Sequence, residues 1–443
     1  MTMHAKRRSD LLASLRTLDA SRRGREAGVR GQAPGETVAP SAGPRRADFA
    51  AHPDYKPIAM KLRAAEAFGV ASPYFRKNSG GTGVKAAYGG GAQVTFASYD
   101  YLGLNGHPEV AAAAKAAIDG YGISATASRV AGGERPYHAA LEQDLAAAYG
   151  VEAAVVMVSG HATNVTTIGT LLGPKDLIIC DALIHNSIAE GARLSGATRL
   201  SMPHNDLAWL DDMLSQVRGR HRHVLIAVEG LYSMDGDTPD LARLIEIKHR
   251  HDAWLMVDEA HALGVLGETG RGIAEAQGVD PREVDVWMGT LSKTLGACGG
   301  YICGSEPLIE FLKSAAPGFV FSVGIPAPVA AAAQAALAVM QREPARVAKL
   351  AQNGRYMLDA ARRAGIDTGL SEGHAVLPMM TGDSLRAVRL SNTLLERGVN
   401  AMPIIFPAVP ERQARLRFFL TSEHEIDQID HAVTETRAIL ETL

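Results

Sequence analysis

An apolar run leads into a hydroxyl-flanked lysine and then a glycine turn in the segment Val284-Asp-Val-Trp-Met-Gly-Thr-Leu-Ser-Lys-Thr-Leu-Gly-Ala-Cys-Gly-Gly-Tyr301. Lys293 stands between Ser292 and Thr294, and Thr290 precedes it by three residues. Hydroxyl groups in such positions hold phosphate oxygens while a lysine amine forms a Schiff base with an aldehyde cofactor. Lys293 is therefore the candidate catalytic group. The alternative is a surface lysine in a loop, which an isolated three-letter motif would favour.

Length and composition predict a large globular protein. The chain has 443 residues, 47% of them hydrophobic, and a formal net charge of -3. This length exceeds the usual size of a single core, so we expect two packed lobes. The small net charge provides no general attraction to nucleic acid or to an anionic membrane, and no apolar run approaches the roughly 20 residues of a membrane span.

The cysteines and histidines predict neither a disulfide framework nor a metal site. Cys180, Cys298 and Cys303 are an odd set without a CxxC pair, which indicates a reducing compartment, and the cytoplasm is the expected location. The histidines include no HExxH motif. The cluster His221-Arg-His223 is interpreted as a solvated loop before a strand.

Residues 1–50 are predicted to be mostly disordered, because they are rich in Arg, Ala, Gly and Pro. Acidic residues and the lack of an apolar core segment argue against a transit or secretory peptide. One short helix capped by Ser9 is predicted, with Leu11, Leu12, Leu15 and Leu18 on one face. Two interpretations of this helix stay open: docking to an acidic acyl carrier protein, or packing on its own dimer.

Residues 51–104 are predicted to contain a helix from Tyr55 to Glu66 and then two strands joined by a turn. The glycines of Ser79–Gly83 and Gly89–Gly91 could belong to a phosphate cradle or to a hairpin. The hairpin is favoured, because no strand-loop-helix pattern follows Gly83.

From residue 105 onwards, short apolar runs alternate with helical patterns, as is typical of strands covered on both faces. The pattern predicts an α/β fold with a mostly parallel central sheet in a large domain over residues 105–335. Gly299 and Gly300 allow a reversal, so the strand after them is predicted to run antiparallel. The runs lie at Val155–Val158, Leu177–Cys180, Val224–Val228, Trp254–Val257 and Val284–Met288.

A smaller C-terminal α/β domain is predicted over residues 336–443. An alanine-rich helix from Pro328 to Arg342 leads into it. Its candidate strands are Ala375–Met379 and Ala414–Leu420, because both runs are apolar and are separated by helical patterns.

Ligands of doubly wound sheets bind beyond the carboxyl ends of the strands, and each of these positions carries reactive or polar groups. Ser159-Gly-His-Ala-Thr-Asn164 opens a helix whose free N–H groups can hold a phosphate. Asp258 ends an apolar run, where a carboxylate is costly unless a cation such as a protonated pyridine nitrogen faces it. The alternative for Asp258 is a helix N-cap. Two further segments follow strands in the same way, Asp181–Ser187 and Glu229–Gly236.

Eight short segments occur in a characteristic order along the chain. They read S-Y-D-Y-L-G-L (Ser98–Leu104), S-R-V-A-G-G-E-R-P-Y-H (Ser128–His138), S-G-H-A-T-N, H-N-S, E-G-L-Y-S-M-D-G-D, V-D-E-A-H, G-T-L-S-K-T and R-F-F-L-T (Arg417–Thr421). Together they resemble the α-oxoamine synthase family, which includes 8-amino-7-oxononanoate synthase, 5-aminolevulinate synthase, 2-amino-3-ketobutyrate ligase and serine palmitoyltransferase. The resemblance covers the chain from about residue 55 to the C-terminus.

The resemblance implies a fold-type I pyridoxal-phosphate (PLP) enzyme that forms a homodimer with active sites at the subunit interface. It implies a decarboxylative condensation of an amino acid with an acyl thioester, which gives an α-amino ketone. At matching motif positions, Lys293 is the Schiff-base lysine, Asp258 the partner of the pyridine nitrogen and His261 a hydrogen-bonding partner of the ring oxygen. His185 stacks on the ring.

The same resemblance implies binding roles around the cofactor and the substrate. Backbone amides of Gly160 and His161, with the hydroxyls of Thr290 and Ser292, hold the phosphate, and Ser322 reaches it from the other subunit. Ser233 lines the pocket as a further cofactor-binding residue. The substrate residues are Tyr99, Glu229, which also lines the pocket, and Arg417, whose planar fork suits a carboxylate.

Departures from the common family pattern point to a subgroup. Tyr99 stands where biotin-pathway and aminolevulinate enzymes carry Asn, which is similar to the serine palmitoyltransferase pattern. Gly122-Ile-Ser-Ala-Thr-Ala-Ser128 has alanines in place of the usual glycines. This version, with S-P-Y-F-R and G-G-E-R-P-Y-H, resembles oxoamine synthases attached to polyketide-type assembly lines. In these enzymes the acyl donor is often held on a carrier protein rather than on coenzyme A.

Three other functions compete with this interpretation. An aminotransferase would use the same lysine and aspartate, but the segment after Lys293 and the surroundings of Arg417 fit condensation better. A non-catalytic partner subunit of an active synthase should lack the lysine. A PLP-dependent regulator would need a DNA-reading segment, and the N-terminal residues show basic charge without a helix-turn-helix pattern.

Overall fold

The computed structural model describes residues 48–67, 69–81, 83–88 and 91–443. The described residues up to Phe75 form one compact unit, and Arg76–Leu443 form a second. The leucine-striped helix predicted near Ser9 lies outside the described residues. Within the described part of the chain, no helix has the length and apolar character that a bilayer span requires.

The first unit consists mainly of one helix, which begins at the predicted residue and extends to Ala67. A short 3-10 turn over Phe49–Ala51 precedes it, and Asp48 caps this turn by accepting a hydrogen bond from the N–H of Ala50 at 2.9 Å. The α-helices of the described residues are α1 Tyr55–Ala67, α2 Pro108–Tyr121, α3 Pro136–Tyr149, α4 Gly160–Leu171, α5 Asn186–Ser195, α6 Leu207–Val217, α7 Leu241–Arg250, α8 Ile273–Gln277, α9 Glu306–Ala315, α10 Pro317–Val320, α11 Ala327–Arg342, α12 Pro344–Arg363, α13 Ser384–Glu396 and α14 Ile426–Leu440.

The second unit is built on a central sheet of seven strands in the order β3-β9-β8-β7-β6-β4-β5. Six of these strands run in the same direction, and β9, which lies between β3 and β8, pairs antiparallel with both, which confirms the predicted reversal. The strands are β1 Lys85–Tyr88, β2 Gly91–Thr95, β3 Ala153–Met157, β4 Leu177–Asp181, β5 Thr198–Met202, β6 Val224–Glu229, β7 Trp254–Asp258, β8 Val286–Thr290, β9 Gly300–Gly304, β10 Val376–Gly382, β11 Val399–Asn400, β12 Met402–Ile404 and β13 Ala414–Phe419.

Helices cover both faces of the central sheet. Successive strand residues such as Ile178 and Ile179 are both buried but belong to two different apolar clusters, one on each face. Each fully buried side chain of this size contributes roughly 1.5–3 kcal/mol relative to an exposed one. Burial on both faces explains why β4, β6 and β7 read as continuous apolar runs.

Two details of the sheet differ from the sequence-based expectation. β8 begins at Val286 instead of Val284, because a 3-10 turn ends with the N–H of Val284 bonded to Pro281 O at 3.3 Å. β5 was not predicted. It lies at the edge of the sheet and only Met202 is buried in it, so its sequence lacks a continuous apolar run.

Two three-stranded sheets complete the second unit. β1 and β2 form the predicted antiparallel hairpin, and β11 adds to it in parallel. β13 lies between β10 and β12 in an antiparallel sheet near the C-terminus, and β10 and β13 correspond to the two predicted C-terminal strands. β11 belongs to the same sheet as the hairpin, so two segments that are far apart in sequence form one sheet. The domain boundaries predicted at residues 104/105 and 335/336 stay predictions.

Candidate active site

The carboxyl ends of β6, β7 and β8 bring the predicted catalytic residues to one edge of the sheet. Glu229 and Asp258 are the last residues of β6 and β7, and they are paired in the register of these strands. Lys293 follows the end of β8, the next strand in the sheet. The amine of Lys293 lies 5.7 Å from the centre of the Tyr99 ring. These groups therefore lie at one edge of the sheet, as their positions after the apolar strands predicted.

A helix N-terminus and two hydroxyls form one end of the site. Ser159 caps α4 by accepting a hydrogen bond from the N–H of Ala162 at 3.1 Å. The N–H groups of Gly160 and His161 lie in the first turn, where a helix offers them no acceptor. Next to them, the hydroxyls of Thr290 and Ser292 are 2.8 Å apart. Thr290 Oγ1 donates to Gly299 O at 3.0 Å, which leaves the Ser292 hydroxyl as the available donor of the pair. This arrangement suits a phosphate, because the helix start is electropositive and a hydroxyl donor lies beside it.

A buried amide links the strand-end aspartate to the predicted stacking histidine. The Nδ2 group of Asn164 donates to Asp258 Oδ2 and to Ser187 Oγ, each at 2.9 Å. Ser187 Oγ lies 2.7 Å from Nδ1 of His185, and burial lowers the pKa of His185. The other oxygen, Asp258 Oδ1, accepts from the N–H of Ala260, but no helix begins there in the described chain. Asp258 therefore caps a local turn and not a helix.

His261 is held by a tyrosine of the S-Y-D-Y-L-G-L segment. The hydroxyl of Tyr101 lies 2.6 Å from Nδ1 of His261. Burial lowers the pKa of His261 well below its ordinary value and raises the pKa of Tyr101 well above its own. Both groups are therefore neutral near pH 7. When the Tyr101 hydroxyl donates to Nδ1, the ring proton resides on Nε2, which is the nitrogen free to meet a ligand.

Buried charges shift the protonation of the two other ionisable groups at the sheet edge. Burial, with the neighbouring carboxylate of Asp258, raises the pKa of Glu229 to about 8. Burial lowers the pKa of Lys293 to about 8, with Arg417 adding to this and Asp258 and Glu229 opposing it. The neutral carboxyl of Glu229 accepts a hydrogen bond from the N–H of Ser233 at 2.9 Å. A neutral, nucleophilic amine is thus accessible close to physiological pH.

Arg417 lies on β13 beside this cluster. It donates to Ser233 O at 2.6 Å, approaches the Tyr99 hydroxyl at 3.4 Å and stacks over the ring of Phe419 at 4.5 Å. Its Nε is buried and has no hydrogen-bond partner among the described residues. A guanidinium held by a carbonyl and an aromatic face, with a donor to spare, is suited to bind a carboxylate from a ligand.

Among the predicted site residues, Ser322 is the one whose surroundings in this chain give the least indication of a contact with the cofactor. It follows α10 and lines a small cavity with Val158 and Gly324. Three other residues, Tyr101, Asn164 and Ser187, were quoted within motifs but were given no role. Their contacts join residues that are far apart in the chain, so strand-end position alone could not identify them.

Comparisons with known proteins point to one family. The profile of the family described as "Aminotransferase class I and II" matches residues 92–435. The chain is 42% identical to an 8-amino-7-oxononanoate synthase of Methylobacterium sp. (strain 4-46) over 349 residues, which are 79% of this chain and 87% of that relative. The chain belongs to the α-oxoamine synthase family.

Solved structures extend this result to the fold and the cofactor. A serine palmitoyltransferase of Sphingomonas wittichii superposes with a TM-score of 0.85 at 31% identity, covering 89% of this chain and 99% of that one. A serine palmitoyltransferase variant solved with PLP superposes with a TM-score of 0.83 at 28% identity, covering 88% and 98%. The α-oxoamine synthase described here is therefore a fold-type I, PLP-dependent acyltransferase that condenses an amino acid with an acyl thioester. Neither the aminotransferase nor the non-catalytic alternative is favoured.

PLP fits the residues of this synthase. A Cβ on Gly160 would lie 3.0 Å from Oγ1 of Thr290, so only glycine keeps the phosphate end open. In the same helix, Oδ1 of Asn164 is buried without a hydrogen-bond partner among the described residues, although its Nδ2 bonds Asp258. Lys293 has an amine suited to an aldehyde, and Asp258 has a carboxylate suited to a pyridine nitrogen.

Proposed function

We propose that this synthase binds the carboxylate of its amino-acid substrate with Arg417 and uses Lys293 to move the α-proton. The observation that supports this most is the free, buried Nε of Arg417 within the same cluster as Lys293 and Tyr99. The α-carbon then forms a bond to the thioester carbonyl, the thiol leaves, carbon dioxide is lost and a proton returns to the α-carbon. The product is an α-amino ketone.

The surrounding residues each have a part in this proposal. Bound PLP supplies an electron-withdrawing ring that stabilises negative charge at the α-carbon. Asp258 would pair with the pyridine nitrogen of bound PLP, and His261 would donate its Nε2–H to the ring oxygen. His185 stacks on the ring, and its orientation is fixed through Ser187.

The binding proposals follow the same geometry. Gly160, His161, Thr290 and Ser292 hold the phosphate through the helix start and the paired hydroxyls. Glu229, Ser233 and Tyr99 line the substrate side of the pocket. Glu229 is neutral near pH 7, so it adds no negative charge that would repel a substrate carboxylate.

Arg417→Lys is expected to raise the KM for the amino acid by about tenfold or more, with little change in the KM for the acyl donor, because lysine keeps the charge and loses the two-pronged fork. Steady-state kinetics with each substrate varied in turn measures this. Arg415→Lys is the matched control, since Arg415 lies on the same strand and pairs with Asp235 at 2.5 Å. Equal effects on both substrates, or equal effects of both variants, would make the role of Arg417 structural.

We further propose a homodimer in which Ser322 reaches the phosphate of the partner subunit. Ser322 lies between Phe321, which is 85% exposed, and Val323. A β-bridge joins Val323 to Ser128, close to the exposed side chain of Val130. Several large apolar side chains exposed on neighbouring segments favour association with a second protein surface.

Phe321→Asp is expected to shift the protein from dimer to monomer and to weaken PLP binding by about tenfold, because a charge cannot be buried unpaired at an apolar contact. Sedimentation velocity gives the assembly state and fluorescence titration gives the PLP affinity. Phe311→Asp is the control, since Phe311 is exposed on α9, away from this surface. A dimeric Phe321→Asp variant would contradict the proposed interface.

The acyl donor in this proposal is carried either on coenzyme A or on an acyl carrier protein, and the enzyme acts in the cytoplasm. Its three cysteines are all free thiols, in keeping with a reducing compartment. Mass spectrometry of products from a panel of amino acids, offered with acyl-coenzyme A and with acyl carrier protein, tests the function. An α-amino ketone formed together with carbon dioxide is expected. Transfer of the amino group to a keto acid without carbon dioxide release would contradict it.

A further inference from the structure

His204 joins two carboxylates beside the active site. It follows the edge strand β5, and its side chain is 14% exposed. Its Nδ1 lies 2.8 Å from Asp181 Oδ1 and its Nε2 lies 2.7 Å from Asp237 Oδ2. Ionised carboxylates only accept hydrogen bonds, so both ring nitrogens must carry protons and the ring is an imidazolium. Burial opposes this charge, but the hydrogen bonds to Asp181 and Asp237 raise the pKa of His204 to about 10.

The two carboxylates belong to two different loops of the active site. Asp181 ends β4 and begins the loop that carries His185. Asp237 lies in the loop that begins at Glu229, the end of β6, and contains Ser233. The cation therefore lies between the base of the loop of the proposed stacking histidine and the base of the loop of the proposed substrate pocket.

Neighbouring contacts leave His204 little freedom. Its ring packs against the ring of Tyr232, with the ring centres 4.5 Å apart and the planes at 87°. Asn205 donates its N–H to Asp181 Oδ2 at 2.8 Å and its Nδ2 to Asp237 Oδ2 at 3.0 Å. The charged groups facing His204 are the two aspartates. Without the cation, these two anions would repel each other within a largely buried space.

We propose that His204 is a positioning residue, whose cation ties the His185 loop to the Glu229–Ser233 loop and thereby sets the position of His185 over PLP. This rests on the proposed role of His185 at the cofactor. Asp181, His204 and Asp237 touch neither the cofactor nor the substrate in this scheme. They act through the two loops that they hold together.

The experiment compares His204→Gln with His251→Gln in the PLP-loaded enzyme. His251 is a matched control, because its Nε2 lies 2.7 Å from Asp211 Oδ1, its side chain is 9% exposed, and it lies at the end of α7, away from the sheet edge that holds the site. Glutamine can bond only one of the two aspartates. For His204→Gln we expect PLP affinity to fall about tenfold, the visible circular dichroism of bound PLP to fall by about half, and kcat to fall by about tenfold or more, with amino-acid KM changed less than about threefold.

The control separates positioning from stability. Both variants are expected to lower the Tm, and only His204→Gln changes the circular dichroism, PLP affinity and kcat. If His204→Gln lowers the Tm as His251→Gln does and leaves these three quantities at wild-type values, the proposal is overturned. If His204→Gln does not fold, Asp237→Asn takes its place, because it removes one anion of the pair and is expected to produce the same changes. Unchanged values in Asp237→Asn would equally overturn it.

The PLP measurements also separate this proposal from the proposed reaction. Affinity and circular dichroism are recorded without either substrate. If the enzyme released no carbon dioxide from any amino acid and acyl thioester, the proposed reaction would fail. A change in the PLP signals of His204→Gln would still support the positioning role.

Discussion

Lys293→Ala is expected to abolish the covalent attachment of PLP and to reduce turnover by about a thousandfold or more, because one amine both bonds the aldehyde and moves the α-proton. The bond is detected by borohydride reduction followed by mass spectrometry of the peptide that contains Lys293. Lys349→Ala is the control, since Lys349 forms a surface ion pair with Glu425 at 3.7 Å. A Lys293→Ala protein that kept the covalent cofactor and its turnover would rule out the assignment.

The pH dependence of cofactor attachment follows from the environment of the same amine. Burial lowers the pKa of Lys293 to about 8 in the absence of the cofactor. The neutral amine is the nucleophile, and its fraction rises as the pH increases through this value. The rate at which the apoenzyme takes up PLP is therefore expected to increase through about pH 8, whereas an exposed lysine would give a midpoint near 10.4.

Asp258→Asn is expected to leave PLP binding largely intact and to slow removal of the α-proton by several powers of ten, on the order of 4 kcal/mol. The amide cannot keep the pyridine nitrogen protonated, so the ring becomes a weaker acceptor of charge. In the native protein, Asn164 holds the carboxylate at 2.9 Å, which keeps one oxygen oriented.

Exchange of the α-proton of the amino acid with deuterium, followed by NMR, measures this step without the acyl donor. Asp176→Asn is the matched control, because Asp176 is a fully buried aspartate that pairs with Arg222 at 2.7 Å. We expect the control to lose stability and keep the exchange rate. Unchanged exchange in Asp258→Asn would contradict the role of Asp258.

The sequence alone was sufficient for the architecture because strands buried on both faces must be apolar throughout. This requirement revealed the strands that end at Asp181, Glu229 and Asp258. It missed β5, since an edge strand has one exposed side and needs no continuous apolar run. The antiparallel β9 was also predicted, because two glycines before Tyr301 permit a reversal.

Strand-end position likewise determined which side chains would gather at one edge of the sheet, and the family resemblance assigned them chemistry. It could not determine how they are held. Asn164 joins Asp258 to Ser187, and Tyr101 holds His261, only because β3, β4, β7 and the segment around Tyr101 meet in space. The protonation states also depend on the tertiary structure. Burial and the nearby Asp258 make Glu229 neutral, and hydrogen bonds to Asp181 and Asp237 keep His204 charged against the effect of burial. All of these neighbours are remote in sequence, so the sequence itself does not reveal either protonation state.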